Sequence, residues 1–349
     1  MDLSDLRRRS IKLIRSLLEV AAMAAVTIVL LAVAVEAVNY VYPLERPERL
    51  KDTFQNKWIS GFNWLNGYTR LYQYRDVPGA TTYGHPVRIN RWGFRGGDFL
   101  PRKEEGPNTF RIMVLGDSLT FGQGIAEEDR YSNVLESLLK NRYPGIKIEV
   151  INLGVQGFET LQEFRMLSLM WPAVEPDLTV LGFFANDPNL HYKHYRPHTF
   201  YQTDAQRKFW NNLLLFRLVE GIYDPVYRTW RDIPTHQQEI DGAYRPDSGD
   251  WQIFTQCVEG IAAFVRGKTG QNPIVIFLSE TDRAMKEGKY KPVRDIFEKE
   301  GYVWVEFGGK KIVPVSRFEY HPGAETNRDY AQALFEMIEQ RGFISQWQK

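Results

Sequence analysis

Residues 110–122 read Phe110-Arg111-Ile112-Met113-Val114-Leu115-Gly116-Asp117-Ser118-Leu119-Thr120-Phe121-Gly122. The run from Phe110 to Leu115 has the length and the branched, apolar composition of a buried strand, and Gly116-Asp117 ends it in a turn that carries a hydroxyl. Runs of the same kind recur at Ile146–Leu153, Leu178–Phe184, Ile274–Leu278 and Tyr302–Phe307. Between them lie segments of helical period: Tyr131–Arg142, Thr160–Met170, Trp251–Arg266 and Lys291–Glu300, with Glu325–Arg341 closing the chain. Strand and helix in alternation predict an α/β protein, a parallel sheet sandwiched by helices.

Open parallel sheets bind ligands outside the carboxyl ends of their strands, so the residues that follow each strand matter most. Gly116-Asp117-Ser118 follows the first, Gly154-Val155-Gln156-Gly157 the second, Ala185-Asn186-Asp187 the third and His321-Pro322-Gly323 the fifth. A hydroxyl, a glycine turn, an amide and an imidazole on one edge are what acyl transfer needs. A serine must lose its proton to a base, and fixed donors must meet the oxyanion. Ser118 is the candidate nucleophile, His321 the candidate base, and Gly157 N–H and the Asn186 amide are candidate oxyanion donors beside Ser118 N–H.

The run Phe110–Gly122 closely resembles the first block of the SGNH (GDSL) hydrolases. Ile151-Asn152-Leu153-Gly154-Val155-Gln156-Gly157 resembles their second block, and Gly182-Phe183-Phe184-Ala185-Asn186-Asp187 their G-x-N-D block. Upstream, Ile89-Asn90-Arg91-Trp92-Gly93-Phe94-Arg95 is similar to a segment that often precedes this domain in exported members. The resemblance implies a three-layer α/β/α, flavodoxin-like SGNH fold. It also implies attack by Ser118, an oxyanion hole completed by Gly157 and Asn186, a C-terminal histidine base, and no metal or organic cofactor.

The fourth block departs from the family. Its pattern is Asp-x-x-His, but Phe318 stands three residues before His321 and can neither orient an imidazole nor stabilise imidazolium. Loss of the acid from a serine triad costs about 10⁴ in turnover. Glu319, two residues before the histidine, is a possible orienting acid. Glu325, Asp282 or a backbone carbonyl are others, the last leaving a Ser-His dyad.

Each residue also has a plainer reading. Ser118 alone would be read as a helix cap, Asp117 as an acceptor tying the loop together, Gly154 as a turn former and Asn186 as a turn residue before Asp187-Pro188. His191, His194 and His198 match no helical face, and Pro197 breaks any local helix, so they are read as loop histidines and no metal site is expected. The nearby Tyr192 and Tyr195 either stack on a sugar substrate or pack the surrounding insertion against the core.

Before the sheet, Arg7, Arg8, Arg9, Lys12 and Arg15 precede an apolar run from Leu17 to Val41. That length spans a bilayer, and the basic flank predicts a cytoplasmic N-terminus with the rest exported. A cleavable signal with Ala32 and Ala34 at its end is the rival, although the apolar run continues past them. Residues 1–45 are therefore expected to form tail and transmembrane anchor, 46–107 a strand-poor accessory segment, and 108–345 the catalytic domain, interrupted by an insertion at about 188–249.

The 349 residues carry a formal net charge of +1, too weak a field to suggest nucleic acid as a partner. The single cysteine, Cys257, makes no internal disulfide. The expectation is a membrane-anchored serine esterase or O-acyltransferase, periplasmic if the cell is Gram-negative, acting on an ester of a carbohydrate or envelope polymer. Its rivals are a tethered binding subunit that keeps the fold without turnover and a lipid-directed hydrolase.

Overall fold

A computed structural model of the chain describes residues 3–41, 55–63, 68–75, 78–102, 108–189, 230, 236–278, 291–305, 311–316 and 319–347. The chain divides into two units, one of residues 1–46 with 196–235 and one of 47–195 with 236–349. In the first, helix α1 (Leu3–Val41) contains the stretch Ile14–Val35, 22 residues of mean hydropathy 2.5, none of them buried. It is long and apolar enough to cross a bilayer. Within it the Thr27 hydroxyl donates to the Met23 carbonyl at 2.9 Å, which satisfies that group without water.

The second unit opens with an antiparallel pair, β1 (Gln55–Asn63) and β2 (Tyr68–Arg75), and a two-residue pair, β3 (Thr81–Thr82) and β4 (His85–Pro86). This upstream stretch is therefore richer in strand than expected. The missed signal was the β-prone aromatic content of the two runs, Trp58 and Phe62 in one and Tyr68, Tyr72 and Tyr74 in the other.

The main sheet follows: β5 (Thr109–Gly116), β6 (Lys147–Asn152), β7 (Leu178–Phe183), β8 (Ile274–Phe277) and β9 (Val303–Val305), all parallel, in spatial order β6-β5-β7-β8-β9. Numbered along the chain this is 2-1-3-4-5, the flavodoxin-like order, whose switch point lies at the end of the first strand. Because both faces are covered, the strands read as unbroken apolar runs rather than alternating ones.

Along β5, Ile112 and Val114 face one core cluster, with Leu135 and Leu139 of α3 (Tyr131–Arg142) and Leu334 and Ile338 of α8 (Ala324–Arg341). Met113 and Leu115 face the other, with Leu167 and Met170 of α4 (Thr160–Val174), Ile261 of α6 (Gly249–Thr269) and Phe297 of α7 (Lys291–Lys299). Two helical layers thus clamp one sheet, giving three layers.

Helix boundaries follow the sequence reading closely, with α4 running past Pro172 because Trp171 and Val174 are buried. A one-turn helix α2 (Ser118–Phe121) follows β5, a short α5 (His236–Ala243) lies where only insertion was expected, and α9 (Phe343–Trp347) ends the fold. The other unforeseen element is the hairpin of β10 (Pro314–Ser316) and β11 (Glu319–Pro322). It carries His321 on a strand rather than in a loop.

Candidate active site

The nucleophile turn is built by glycines. Gly116 has φ 154°, and a β-carbon there would lie 2.1 Å from Thr120 Oγ1. Gly122, at φ 78°, closes α2 by donating its N–H to the Ser118 carbonyl at 3.1 Å. At the other end Asp117 caps the turn, its carboxylate accepting from Leu119 N–H at 2.8 Å, which satisfies one of the orphan donors of a helix start.

The second block braces this turn from β6. Asn152 Nδ2 donates to the Thr120 carbonyl at 2.7 Å and to Ser132 Oγ at 2.8 Å, while its Oδ1 accepts from Gly154 N–H at 2.8 Å. Gly154 is more than a turn former. A β-carbon on it would lie 2.5 Å from Phe121 N and 2.7 Å from the Thr120 carbonyl carbon.

Residues of the upstream segment complete the brace. Arg95 is 2% exposed and donates to the carbonyls of Gly122 at 2.6 Å and Ile125 at 2.7 Å, with its guanidinium over the Phe121 ring. Tyr74 packs on Phe121 from the side, and its hydroxyl accepts from Gln156 N–H at 2.7 Å. Neither residue was foreseen as part of the site. Arginine reads as surface charge in a sequence, and only the resemblance of Ile89–Arg95 hinted at a role there.

His321 is held from the exit of its short strand. Gly323 N–H donates to the Val313 carbonyl at 2.8 Å, and Asn327 Nδ2 donates to the Pro322 carbonyl at 2.9 Å. Asn327 Oδ1 in turn accepts from Tyr131 N–H at 3.1 Å, which ties the exit of β11 to the start of α3. So held, His321 Nε2 stands 2.8 Å from Ser118 Oγ, within the reach a general base requires.

Gly157 and Asn186 follow the strands on either side of β5, since β5 pairs with β6 on one side and, Gly116 opposite Gly182, with β7 on the other. Gly157 has φ 68°, and the turn before it is tied to the segment after Ser118 by Gln156 Nε2 donating to Gln123 Oε1 at 2.6 Å. Asn186 is half-buried, and its Oδ1 has no hydrogen-bond partner. The backbone around it is held instead by Asp187, whose Oδ2 accepts from Phe184 N–H at 3.0 Å, and by Tyr244, whose hydroxyl donates to the Ala185 carbonyl at 2.7 Å.

Electrostatically the site floor is acidic. Burial pushes the Asp117 carboxyl up to about 6, against the Leu119 N–H and the charge of His321, which favour ionisation. Burial also holds the carboxyls of Glu163 and Asp187 well above the usual range, helped by repulsion from Asp117 and Glu159 and, for Asp187, from Glu163. Both carboxylate oxygens of Glu163 are buried without a hydrogen-bond partner.

Of the expected orienting groups, Glu325 is exposed in the first turn of α8. Phe318, Asp282 and the side chain of Glu319 lie outside the described residues, as do Tyr192, Tyr195, His191, His194 and His198. Among the described residues no three His, Cys, Asp or Glu side chains are grouped to hold a metal. A cavity of about 770 Å³ bounded by Arg102, Phe110, Trp171, Asp177 and Lys268 opens at the amino ends of the strands, away from Ser118.

Sheet order makes this unit a flavodoxin-like α/β fold, and its motif loops resemble those of the SGNH hydrolases. No protein-family model matches the chain, and no curated protein matches it. Similar solved structures include Axe2, an acetylxylan esterase from Geobacillus stearothermophilus, at 16% identity over 66% of this chain and 94% of that one, TM-score 0.37. A family 3 carbohydrate esterase from Clostridium thermocellum is similar at 14% identity over 67% and 96%, TM-score 0.41. A member of the lipolytic G-D-S-L family from Veillonella parvula follows at 12% over 66% and 99%, TM-score 0.37. At such distances function has to be argued from the site.

Proposed function

We propose that the protein is a membrane-tethered serine esterase or O-acyltransferase. The observation that carries this reading is the 2.8 Å contact between Ser118 Oγ and His321 Nε2, at the switch point of the sheet. His321 Nε2 takes the Ser118 proton as Oγ attacks the ester carbonyl. The resulting oxyanion is met by Ser118 N–H, Gly157 N–H and the Asn186 amide, fixed donors of the kind worth roughly 10² to 10³ each in rate.

Collapse breaks the ester bond and leaves an acyl-Ser118. The departing alkoxide takes the proton from His321. An incoming hydroxyl then gives its proton to His321 and receives the acyl group as the bond to Ser118 Oγ breaks and His321 returns the proton to that oxygen, so water makes the protein an esterase and a sugar hydroxyl makes it a transferase.

The apolar helix from Ile14 to Val35, with Lys12 just before it and Arg15 at its start, supports a tether whose basic end is cytoplasmic and whose catalytic unit is exported. Such a location favours a carbohydrate or envelope-polymer ester as substrate, and an acetyl group as the acyl. The absence of an acid at Phe318 favours a second reading, a tethered binding subunit without turnover.

The full chain in detergent, treated with a fluorophosphonate probe, separates the two. Labelling of the protein but not of Ser118→Ala or His321→Gln is expected. Silence of the correctly folded protein overturns the enzyme and leaves the binding subunit. For an active protein, p-nitrophenyl acetate turnover with and without glycan acceptors then divides hydrolase from transferase, and preference for long acyl chains would redirect the substrate to lipid.

A further inference from the structure

We infer that Asp117 is an electrostatic positioning residue for the base, supplying through the nucleophile turn the carboxylate charge that the fourth block lacks at Phe318. The inference rests on the serine-enzyme reading above.

Asp117 immediately precedes Ser118, whose Oγ touches His321 Nε2 at 2.8 Å. Its carboxylate is 1% exposed and pinned by Leu119 N–H at 2.8 Å, so it is fixed within the turn that carries Ser118. In a triad of the usual kind the acid meets the far ring nitrogen. Here the charge acts from the near side, across the nucleophile turn, and makes no claim on the orientation of Nδ1.

Little water lies around so buried a group, and its field on the imidazolium is correspondingly weakly screened. When His321 takes the Ser118 proton it becomes a cation beside this fixed anion. Asp117 accepts no proton in the step.

Three other acids sit in the same floor: Glu163 and Asp187 interact directly with Asp117, and Glu159 with Glu163 and Asp187. Tyr131, whose hydroxyl is bonded to Thr120 Oγ1 at 2.8 Å, also faces it. Of these acids Asp117 is the one next to the reacting hydroxyl.

The test is an NMR titration of the His321 ring in the full chain in detergent, with the resonance assigned by its loss in His321→Gln. It is run in a Ser118→Ala background, so that no change in the serine contact enters. Asp117→Asn keeps an N-cap acceptor and removes the charge. The proton affinity of His321 is expected to fall about tenfold, the size typical of one nearby opposite charge. Asp117→Ser, a second cap-preserving change, gives the same fall and serves if the first variant does not fold.

An unchanged His321 titration in either folded variant overturns the inference. Probe labelling of the unmutated protein reports separately on the enzyme: labelling without a titration shift sinks this inference alone, and a shift without labelling sinks the enzyme reading alone.

Discussion

Gly154 lies against the backbone of Phe121 so closely that a β-carbon would sit 2.5 Å from the Phe121 amide nitrogen. Neither partner is a flexible side-chain tip, so Gly154→Ala has to displace the turn that presents Ser118. Overpacking of this kind costs about 1 to 3 kcal/mol. The expected outcome is a lower urea midpoint together with probe labelling slowed at least tenfold. Wild-type labelling with unaltered stability would show that the turn yields freely.

Arg95→Met strips the carbonyls of Gly122 and Ile125 of a buried cationic donor. Hydrogen bonds to charged groups are worth about 1.5 to 3 kcal/mol, and an orphaned buried acceptor costs more than a bond merely forgone. A loss of about 3 kcal/mol in denaturant unfolding is expected, with slower labelling of Ser118 even in the folded fraction. Full activity at reduced stability would mean that Arg95 holds the segment without shaping the site.

Asn186→Ala separates activity from folding. Because Asn186 Oδ1 has no partner in the folded chain, truncating the amide breaks no bond made by that atom, and stability should change by less than about 0.5 kcal/mol. Turnover should fall by roughly 10² to 10³ with KM nearly constant, as for removal of one oxyanion donor. Steady-state kinetics on p-nitrophenyl acetate beside a thermal melt reads both.

Asp117→Asn should make the protein more stable above pH 6 while making it a poorer enzyme. The folded carboxyl titrates at about 6 against an ordinary 3.8, so between those values the folded state binds more protons than the unfolded one. Its contribution is therefore fully present below pH 4 and is lost as pH rises through 6. At 1.36 kcal/mol per unit the loss is on the order of 3 kcal/mol. Asparagine has no such loss, so the variant's advantage should grow from pH 4 to pH 7.5 in urea midpoints. A constant difference across that window would refute the assignment.

Much of the fold was legible because fully buried parallel strands advertise themselves: Ile112 to Leu115, Leu178 to Phe183 and Ile274 to Phe277 have no polar face to hide behind. The loops after the first three strands were legible because glycine and a polar residue must end each run. What escaped was long-range. Nothing local to Pro314 or Pro322 suggests pairing, since proline is a poor strand former and the hairpin is fixed by Asn327 and Val313 from outside. Arg95 escaped for the opposite reason, because burying a guanidinium requires carbonyls that only a folded turn can offer. Asp117 was read as a loop acceptor, which it is, but its neighbourhood with Glu163 and Asp187 emerges only once β5, α4 and the end of β7 are side by side.

Ser118 and His321 are separated by 203 positions in the chain, and that gap has a consequence in time. At synthesis rates of 5 to 20 residues per second the base emerges about 10 to 40 s after the hydroxyl it must activate. Throughout that interval the serine is an ordinary alcohol. On the proposed serine-enzyme reading, a chain cut short before the last hairpin would be chemically silent toward bystander esters, so reactivity arrives only with the finished molecule.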